Sequence, residues 1–403
     1  MDYLTNDTDI KKVADAIRAK GGTSDPLAYP NGFVSAIQAI KSAPSGPYME
    51  AEYVAVEDGG ITSHYIKSAK LYNHTAVYAC EFATQYNLNS LDFGDASNNI
   101  TTIEVDAFTS ANLAGIVLPD TITSLQDACF AQAIIATLEL PAQITEIPKN
   151  AFRGINAAYS SETDEELPIN IILPPNLTKI GNYCFYNAQI KQISIPDTVT
   201  EIGESAFQYC IGLTSFVIPP LLQKIPQYML QGCENITAIT IPAAVTEIGE
   251  GAFENTGITS ITIPATITTL GMSMLSSCVN LATINIQTNV TEIPDRFAQG
   301  SGRTSVTLPN TVETIGSAAF SSDRANLTEI TIPASVTSIG DYAFAQNESM
   351  TTITCLAATP PTLGRNAFTM NTINTTIKVP AASVAAYKAA AGWDTWADII
   401  VAM

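Results

Sequence analysis

Residues 245–264 read VTEIGEGAFENTGITSITIP, and variants of this stretch recur along most of the chain. The copies align on the residue that follows an I-x-I or L-x-L triplet. That residue is proline in nine of ten copies, with glutamine in the eighth: Pro119, Pro141, Pro174, Pro196, Pro219, Pro242, Pro264, Gln287, Pro309 and Pro333. Neighbouring positions are 22 to 24 residues apart, except for one step of 33 that a single insertion explains. A fixed period of this length is typical of a solenoid with one coil per repeat.

Each repeat predicts one short strand and one buried aromatic ring. In Ile261-Thr262-Ile263 the alternation points two branched side chains to one face, and Pro264 ends the strand because it offers no amide hydrogen. Since about 23 residues cannot bury their own apolar face, we expect neighbouring coils to stack on a shared core. The aromatic position indicates twelve coils, with a weaker one near Phe82; it holds Phe108, Phe130, Phe152, Phe185, Phe207, Leu230, Phe253, Leu275, Phe297, Phe320, Phe344 and Phe368.

The composition excludes two classes of partner. The 403 residues include 18 Lys and Arg against 38 Asp and Glu, a net charge of −20. A chain this acidic is repelled by nucleic acid and by anionic lipid, both of which are bound through clusters of basic residues. No apolar run is long enough to span a membrane, and the start of the chain resembles no secretory signal. We therefore expect a soluble chain that neither binds nucleic acid, nor inserts into a membrane, nor directs its own export.

The two ends differ from the repeats. Residues 9–20 place Ile10, Val13 and Ile17 on one helical face, and an apolar stripe in residues 33–40 predicts a second helix. We predict a two-helix anchoring module over residues 1–41, a linker over 42–47, an irregular β cap over 48–97, the solenoid over 98–380 and a helical cap over 381–403. Within the last segment, Ala382 to Ala390 is the expected helix.

The repeat consensus, close to L-x-x-I-x-I-P-x-x-V-T-x-I-G-x-x-A-F, resembles the BspA-like or Treponema pallidum-type leucine-rich repeats. The resemblance runs from about Asn98 to Phe368, and the segment from Val379 to Trp393 resembles the one that closes such arrays. It implies an α/β, β-rich leucine-rich-repeat solenoid that acts as a binding or adhesive protein, with no enzymatic activity and no cofactor. Its partner would be a cell-surface protein or a glycan.

The stretch from Asp9 to Leu27 resembles the opening segment of tail-associated proteins of phages and prophages. This resemblance implies an extracellular protein on a virion tail, held on a larger particle by its N-terminal helices, and by analogy a homotrimer would suit a tail tip. The alternative is a secreted or cell-surface bacterial adhesin. A hydrolase on this scaffold is a third hypothesis, for which the sequence offers no catalytic motif.

Titratable residues give no catalytic or metal-binding pattern. His64 and His74 are the only histidines, and their spacing fits no ligand pair on one helix, so we interpret both as surface or capping residues. No metal site is predicted. Four carboxylates cluster in the insertion at residues 159–167, which has two interpretations, a calcium site and a solvated loop. The spacing matches no standard calcium loop and favours the solvated loop.

Two sets of residues occupy repeated positions for structural reasons. Cys210 and Cys233 lie in the same position of successive coils, where a disulfide is geometrically feasible, although buried free thiols are the favoured interpretation. Five coils alternate in charge at another position, which predicts a ladder of exposed ion pairs; the residues are Glu146, Lys179, Glu201, Lys224 and Glu247.

The middle residue of each triplet gives the candidate binding surface. In a stack these residues form one outward line of small, mostly uncharged side chains on an acidic protein, a surface suited to a glycan or a flat protein partner. The preference of Thr and Val for strands explains part of the pattern without any function. The predicted contact residues are Val117, Glu139, Ser194, Val217, Thr240, Thr262, Asn285, Thr307 and Thr331, and Ile172 lies in the same line.

Overall fold

The computed structural model describes residues 47–58, 61–85, 88, 90–94, 99–113, 116–158, 167–322, 327–369, 371 and 375–403. The predicted helices of residues 1–41 and almost all of the linker lie outside these residues, as do most of the acidic insertion and the residues that carry the phage resemblance. The described residues form a β-solenoid of about thirteen coils, which confirms the predicted fold class.

A hairpin precedes the coils. Its two strands are the antiparallel pair Tyr48–Asp58 and Ile61–Tyr72, with a bulge between Glu52 and Tyr53, and Ser90–Asp92 adds in parallel to the second strand. The rings of Tyr48 and Tyr72 stack with centroids 4.7 Å apart across the open end of the hairpin. The buried Phe82 stacks on Phe108 at 5.4 Å, so the first coil begins inside the segment predicted as a cap.

The I-x-I triplets form a first parallel ladder along the rod. Each strand alternates buried and exposed residues, as period-2 patterning requires. Four of the described coils, at residues 116–118, 193–195, 216–218 and 239–241, stack in the rod without strand pairing at this position. The strands are Thr137–Glu139, Asn170–Ile172, Ser260–Ile263, Thr283–Ile286, Ser305–Thr307, Glu329–Ile332, Thr352–Cys355, Thr376–Val379 and Ile400–Ala402.

A second ladder runs along another face, formed by two-residue strands, most of which follow a Val-Thr, Ile-Thr or Leu-Thr dipeptide. These strands are Ala76–Val77, Thr102–Ile103, Ser124–Leu125, Glu146–Ile147, Lys179–Ile180, Glu201–Ile202, Lys224–Ile225, Glu247–Ile248, Glu292–Ile293, Thr314–Ile315, Ser338–Ile339 and Thr362–Leu363. Ile134–Ile135 and Asn156–Ala157 form one further parallel pair.

Prolines divide the second ladder. In most coils a glycine follows the strand and its N–H donates to the isoleucine carbonyl of the preceding coil, as Gly203 does to Ile180 at 2.8 Å. Proline has no such hydrogen, and among the described strands the ladder is interrupted before the coils that carry Pro148, Pro226 and Pro294. At Gly203 a side chain is also excluded, since a Cβ there would lie 2.4 Å from the backbone of Asn182, whereas Glu104 and Gln126 take this position in the first coils and make the same hydrogen bond.

The aromatic residues form a column inside the rod. From Phe82 to Phe207 six rings stack at centroid distances of 5.1 to 5.5 Å. Two residues before each member of the column the backbone turns through the left-handed region, as at Tyr183 and Tyr342. The column is sealed at the C-terminal end by Trp393, whose ring lies 5.7 Å from that of Phe368.

The prediction that Phe297 belongs to the column is wrong, because the next residue, Ala298, takes its place. Leu275 donates its N–H to the carbonyl of Phe297, and Ala298 donates to Ala319, so Ala298 occupies the aromatic position and Phe297 precedes it. The Phe297 ring instead meets Phe320 edge-on at 5.9 Å. The prediction chose the aromatic residue of this coil, whereas the spacing selects its neighbour: other column members lie five residues after the buried residue of the second ladder, as Phe253 does after Ile248, and five residues after Ile293 is Ala298.

The space beside Ala298 is filled by a cation. The guanidinium of Arg303 lies 5.4 Å from the centre of the Phe320 ring, and the side chain is completely buried. It donates to the carbonyl oxygens of Ala298 and Phe320 and to Asn347 Oδ1. Arg303 stands at a position that holds leucine in several other repeats. Its side chain fills the space left by the ring that is missing at Ala298.

The C-terminal cap combines short helices with a last strand. The helix spans Val384–Ala389, shorter than predicted, between 3-10 turns at Ala381–Ser383 and Asp394–Ile399. Ile400 does not merely cover the last coil as expected but pairs with Ile377 and extends the first ladder. In the described part of the chain, no helix has the length and apolar character needed to cross a membrane.

Candidate binding surface

The nine predicted contact residues all lie on the outside of the rod. Each of them is exposed, since the flanking members of each triplet turn inward. Pairing in the first ladder sets Thr262, Asn285 and Thr307 side by side in register. Their positions thus agree with the line expected from the triplets, and we refer to these nine residues together with Ile172 as the shelf.

The ladder extends the shelf beyond the residues predicted from the sequence. Thr331 pairs with Thr354, and Thr354 pairs with Lys378. Sequence reasoning missed Thr354 because its triplet ends at Cys355 without an anchoring proline. It missed Lys378, whose triplet is followed by Pro380, because the alignment of anchoring prolines ended at Pro333. The triplets Ile353-Thr354-Cys355 and Ile377-Lys378-Val379 themselves were the available signal.

The shelf changes character along the rod. Toward its N-terminal end it carries apolar side chains, with Val117 81%, Ile172 41% and Val217 76% exposed. Large apolar side chains left this open to water are typical of contact surfaces. Val117, Glu139 and Ile172 also line a cavity of about 530 Å³, which gives this end of the shelf a concave shape.

A second concavity lies where Pro226 interrupts the second ladder. The coil of Glu201 and the coil of Lys224 are not paired there, and a cleft of about 560 Å³ opens between them. The ring of Pro226 cannot approach the preceding coil as closely as glycine does, and this keeps the two coils apart and opens the cleft. Its lining includes Leu221, which is 54% exposed.

The predicted ion-pair ladder forms in part. Lys179 Nζ lies 2.9 Å from Glu201, and Lys224 Nζ lies 3.3 Å from Glu247. Hydrogen bonding to Glu201 raises the pKa of Lys179. The series is split between Glu201 and Lys224 by the Pro226 cleft, so two separate pairs replace a continuous ladder. Such exposed pairs contribute about 0.2–1 kcal/mol each and are structural.

Cys210 and Cys233 are free thiols, which confirms the favoured interpretation. The Cys210 thiol donates to the carbonyl oxygen of Phe185 at 2.9 Å, and that of Cys233 donates to Phe207 at 3.2 Å. Burial raises the pKa of Cys233 to about 12. Neither thiol has the accessible, low-pKa setting of a reactive cysteine.

His74 is a buried structural residue. Its Nε2 lies 2.9 Å from Glu81 and its Nδ1 lies 3.0 Å from the carbonyl oxygen of Tyr72, while Glu81 also accepts the Tyr78 N–H at 2.8 Å. These contacts fix the turn that leads into the first coil. Within the described residues, no group of three His, Cys, Asp or Glu side chains could hold a metal ion.

Comparison with known proteins agrees with the repeat analysis. The family described as BspA type leucine rich repeat region matches in six copies, over residues 75–211, 166–282, 200–325 and 268–390. No curated protein matches the sequence.

Three solved structures are similar. A leucine-rich repeat protein from Bacteroides ovatus has 19% identity and a TM-score of 0.51, with 88% of this chain and 98% of that chain covered. A leucine rich cell surface protein from Faecalibacterium prausnitzii has 20% identity and a TM-score of 0.43, with 90% and 94% covered. The leucine-rich repeat protein of T. pallidum has 26% identity and a TM-score of 0.29, with 43% and 70% covered.

Proposed function

Because the chain belongs to the BspA-type leucine-rich repeat family, we propose that it is a non-enzymatic recognition protein that binds a cell-surface protein or glycan through the shelf. The observation that carries the proposal is the parallel register of Thr262, Asn285 and Thr307, which makes one outward surface from separate coils. Stacked repeats commonly bind along such extended surfaces. The exposed valines of the N-terminal half supply apolar contact area.

Two settings for this recognition remain as proposals. The first is a phage or prophage tail-associated receptor-binding protein, located on the virion tail, and it is supported by the resemblance of residues 9–27 alone. The second is a bacterial surface adhesin that binds host proteins or glycans, and family membership supports it. The first predicts binding to intact bacteria, and the second predicts binding to cultured host cells. Tail, baseplate and lysis genes beside this one would favour the first.

Labelled protein applied to intact bacteria and to epithelial cells tests the shelf directly. The double variant Thr262→Lys, Thr307→Lys places two bulky cations on the shelf and is expected to lower cell binding at least about tenfold. The matched control is Thr269→Lys, Thr314→Lys, which adds the same charges to the same two coils on the second ladder. Loss of binding in both variants, or in neither, would place the contact surface elsewhere.

A further inference from the structure

The turns that carry the aromatic column form a face of their own, and a groove of about 660 Å³ lies on it near the C-terminal end. Arg296, Ala318 and Tyr342 occupy the same position in three successive coils, each with a left-handed backbone. A short side chain between two long ones leaves a depression with Arg296 on one side and Tyr342 on the other. The groove shares no residue with the shelf.

The polar side chains around the groove are held in place by contacts between coils. Asp295 Oδ1 accepts the N–H of Ser317 at 2.6 Å. Asp341 accepts three hydrogen bonds from Arg365, from the backbone N–H at 2.7 Å and from Nε and Nη2 at 3.2 and 3.0 Å. A ligand would therefore meet groups that are already oriented, which reduces the entropy lost on binding.

Charges in the groove balance one another although the whole chain carries −20. Asp341 forms an ion pair with Arg365, and hydrogen bonds from the Arg365 backbone N–H and then from its guanidinium lower the pKa of Asp341 and keep its carboxylate ionised. Asp295 and Arg296 bring one negative and one positive group to the lining. This balance disfavours both a polyanion and a strongly cationic ligand, and it leaves donors and acceptors for uncharged hydroxyl groups.

Tyr342 gives the groove an aromatic surface. The residue is 42% exposed, and its hydroxyl accepts a hydrogen bond from Asn366 Nδ2 at 3.1 Å, which helps to fix the ring. Sugar rings present a face of C–H groups that packs on an aromatic ring, and an edge of hydroxyls that pair with carboxylate, amide and guanidinium groups. Gln346 lies beside Tyr342 in the lining and supplies an amide.

We propose that this groove binds a neutral oligosaccharide, with the Tyr342 ring as the stacking surface and Asp295, Arg296 and Gln346 as hydrogen-bond partners for hydroxyl groups. The volume lies within the range of about 300–1,000 Å³ typical of ligand sites. The site spans several coils, from Met272 to Thr369. A linear glycan that lies across these coils fits this shape.

Affinity electrophoresis in gels with yeast mannan, laminarin, glucomannan or polygalacturonate tests the proposal. At least one of the three neutral polysaccharides is expected to retard the protein, and polygalacturonate is expected not to. Tyr342→Asn should weaken the retardation by about tenfold. Asparagine fits the turn, because Asn150 and Asn366 occupy the same position in other coils.

The matched control is Tyr183→Asn, because Tyr183 holds the same turn position, is also 42% exposed and lies outside the groove. It should bind polysaccharide like the original chain, with both variants melting at similar temperatures. The shelf variant Thr262→Lys, Thr307→Lys should keep polysaccharide binding, so the two proposals fail separately. Absence of retardation by all three neutral polysaccharides, retardation by polygalacturonate alone, or equal losses in both asparagine variants would overturn the proposal.

Discussion

Arg303 shows how a single residue adjusts to a change elsewhere in the repeat. A buried cation without a carboxylate partner is costly, and desolvation lowers the pKa of Arg303 to about 9. Its Nε has no hydrogen-bond partner. The carbonyl oxygens that it contacts have other donors, since Ser301 Oγ donates to Ala298 and Asn347 Nδ2 donates to Phe320.

Replacing Arg303 with leucine, the usual residue at this position, should therefore stabilise the protein. We expect Arg303→Leu to raise the free energy of unfolding by about 1 kcal/mol in urea titrations. The gain from removing a desolvated charge exceeds the loss of the hydrogen bond to Asn347 Oδ1, and the backbone carbonyls of Ala298 and Phe320 keep their other donors. Arg303→Ala is the control and should destabilise, since it leaves a cavity beside the Phe320 ring. A lower unfolding free energy for the leucine variant would show that the arginine stabilises the core.

Thiol accessibility gives a second test at this scale. Among the seven cysteines only Cys80 is partly exposed, and the others are buried. Burial raises the pKa of Cys278 to about 11 and that of Cys355 to about 12, so few thiolates are present at neutral pH. We expect a thiol reagent at pH 8 to modify one cysteine in the native protein and all seven in denaturant. Rapid modification of two or more in the native state would contradict the described packing.

At the scale of one element, Pro226 decides whether two neighbouring coils pair. Pro226→Gly restores an N–H that can donate to the Ile202 carbonyl and removes the ring that keeps the coils apart. We expect slower deuterium uptake in residues 224–226, whose coil supplies the new donor, and closure of the cleft. The net change in stability should stay within about 1 kcal/mol, because the new hydrogen bond offsets the entropy cost of glycine.

Pro226→Ala is the matched control for this experiment. Alanine also supplies an N–H, but a Cβ at the equivalent Gly249 would lie 2.6 Å from the backbone of Gln227 in the preceding coil. The alanine variant should therefore close the cleft less completely and slow deuterium uptake less than the glycine variant. Equal protection in both variants would mean that the missing hydrogen, and not the steric conflict, separates the coils.

The elements show which features the sequence could predict. The triplet strands and their outward residues followed from period-2 alternation, which depends only on local geometry. The ladder breaks were also visible, as proline in place of glycine at Pro148, Pro226 and Pro294, but their effect appears only when coils are stacked. The choice of Ala298 over Phe297 could be made from the constant spacing within each repeat, since Ala298 lies five residues after Ile293. The groove beside Tyr342 depends on three coils together and has no signal in a single repeat.

For the whole molecule, the caps decide whether rods associate through their ends. The last coil is covered by Tyr387, which donates to the Ala357 carbonyl at 2.8 Å, and by Trp393, which donates to Pro361 at 2.7 Å. Solenoids need such caps because an open end exposes both the core and an unpaired strand.

Removal of residues 381–403 should therefore cause association. It would expose Phe368 and the strand Thr376–Val379, whose outer edge now pairs with Ile400–Ala402. Light scattering after size exclusion is expected to show oligomers larger than those of the full chain. Tyr387→Phe removes one hydrogen bond but keeps the cover, and this control should behave like the full chain. A truncated chain with an unchanged mass would show that the cap is dispensable.

Recognition through the shelf is most directly tested by a lysine scan along it. Each shelf residue from Val117 to Thr331 is replaced singly by lysine. For each variant we would measure the melting temperature and the binding to those cells that bind the unaltered protein. We predict that the losses fall on neighbouring coils, as one contiguous run with unchanged melting temperatures, and that lysine at Thr269, Thr314 or Ser338 on the second ladder has no effect. Losses scattered over both ladders, or none on the shelf, would contradict the account.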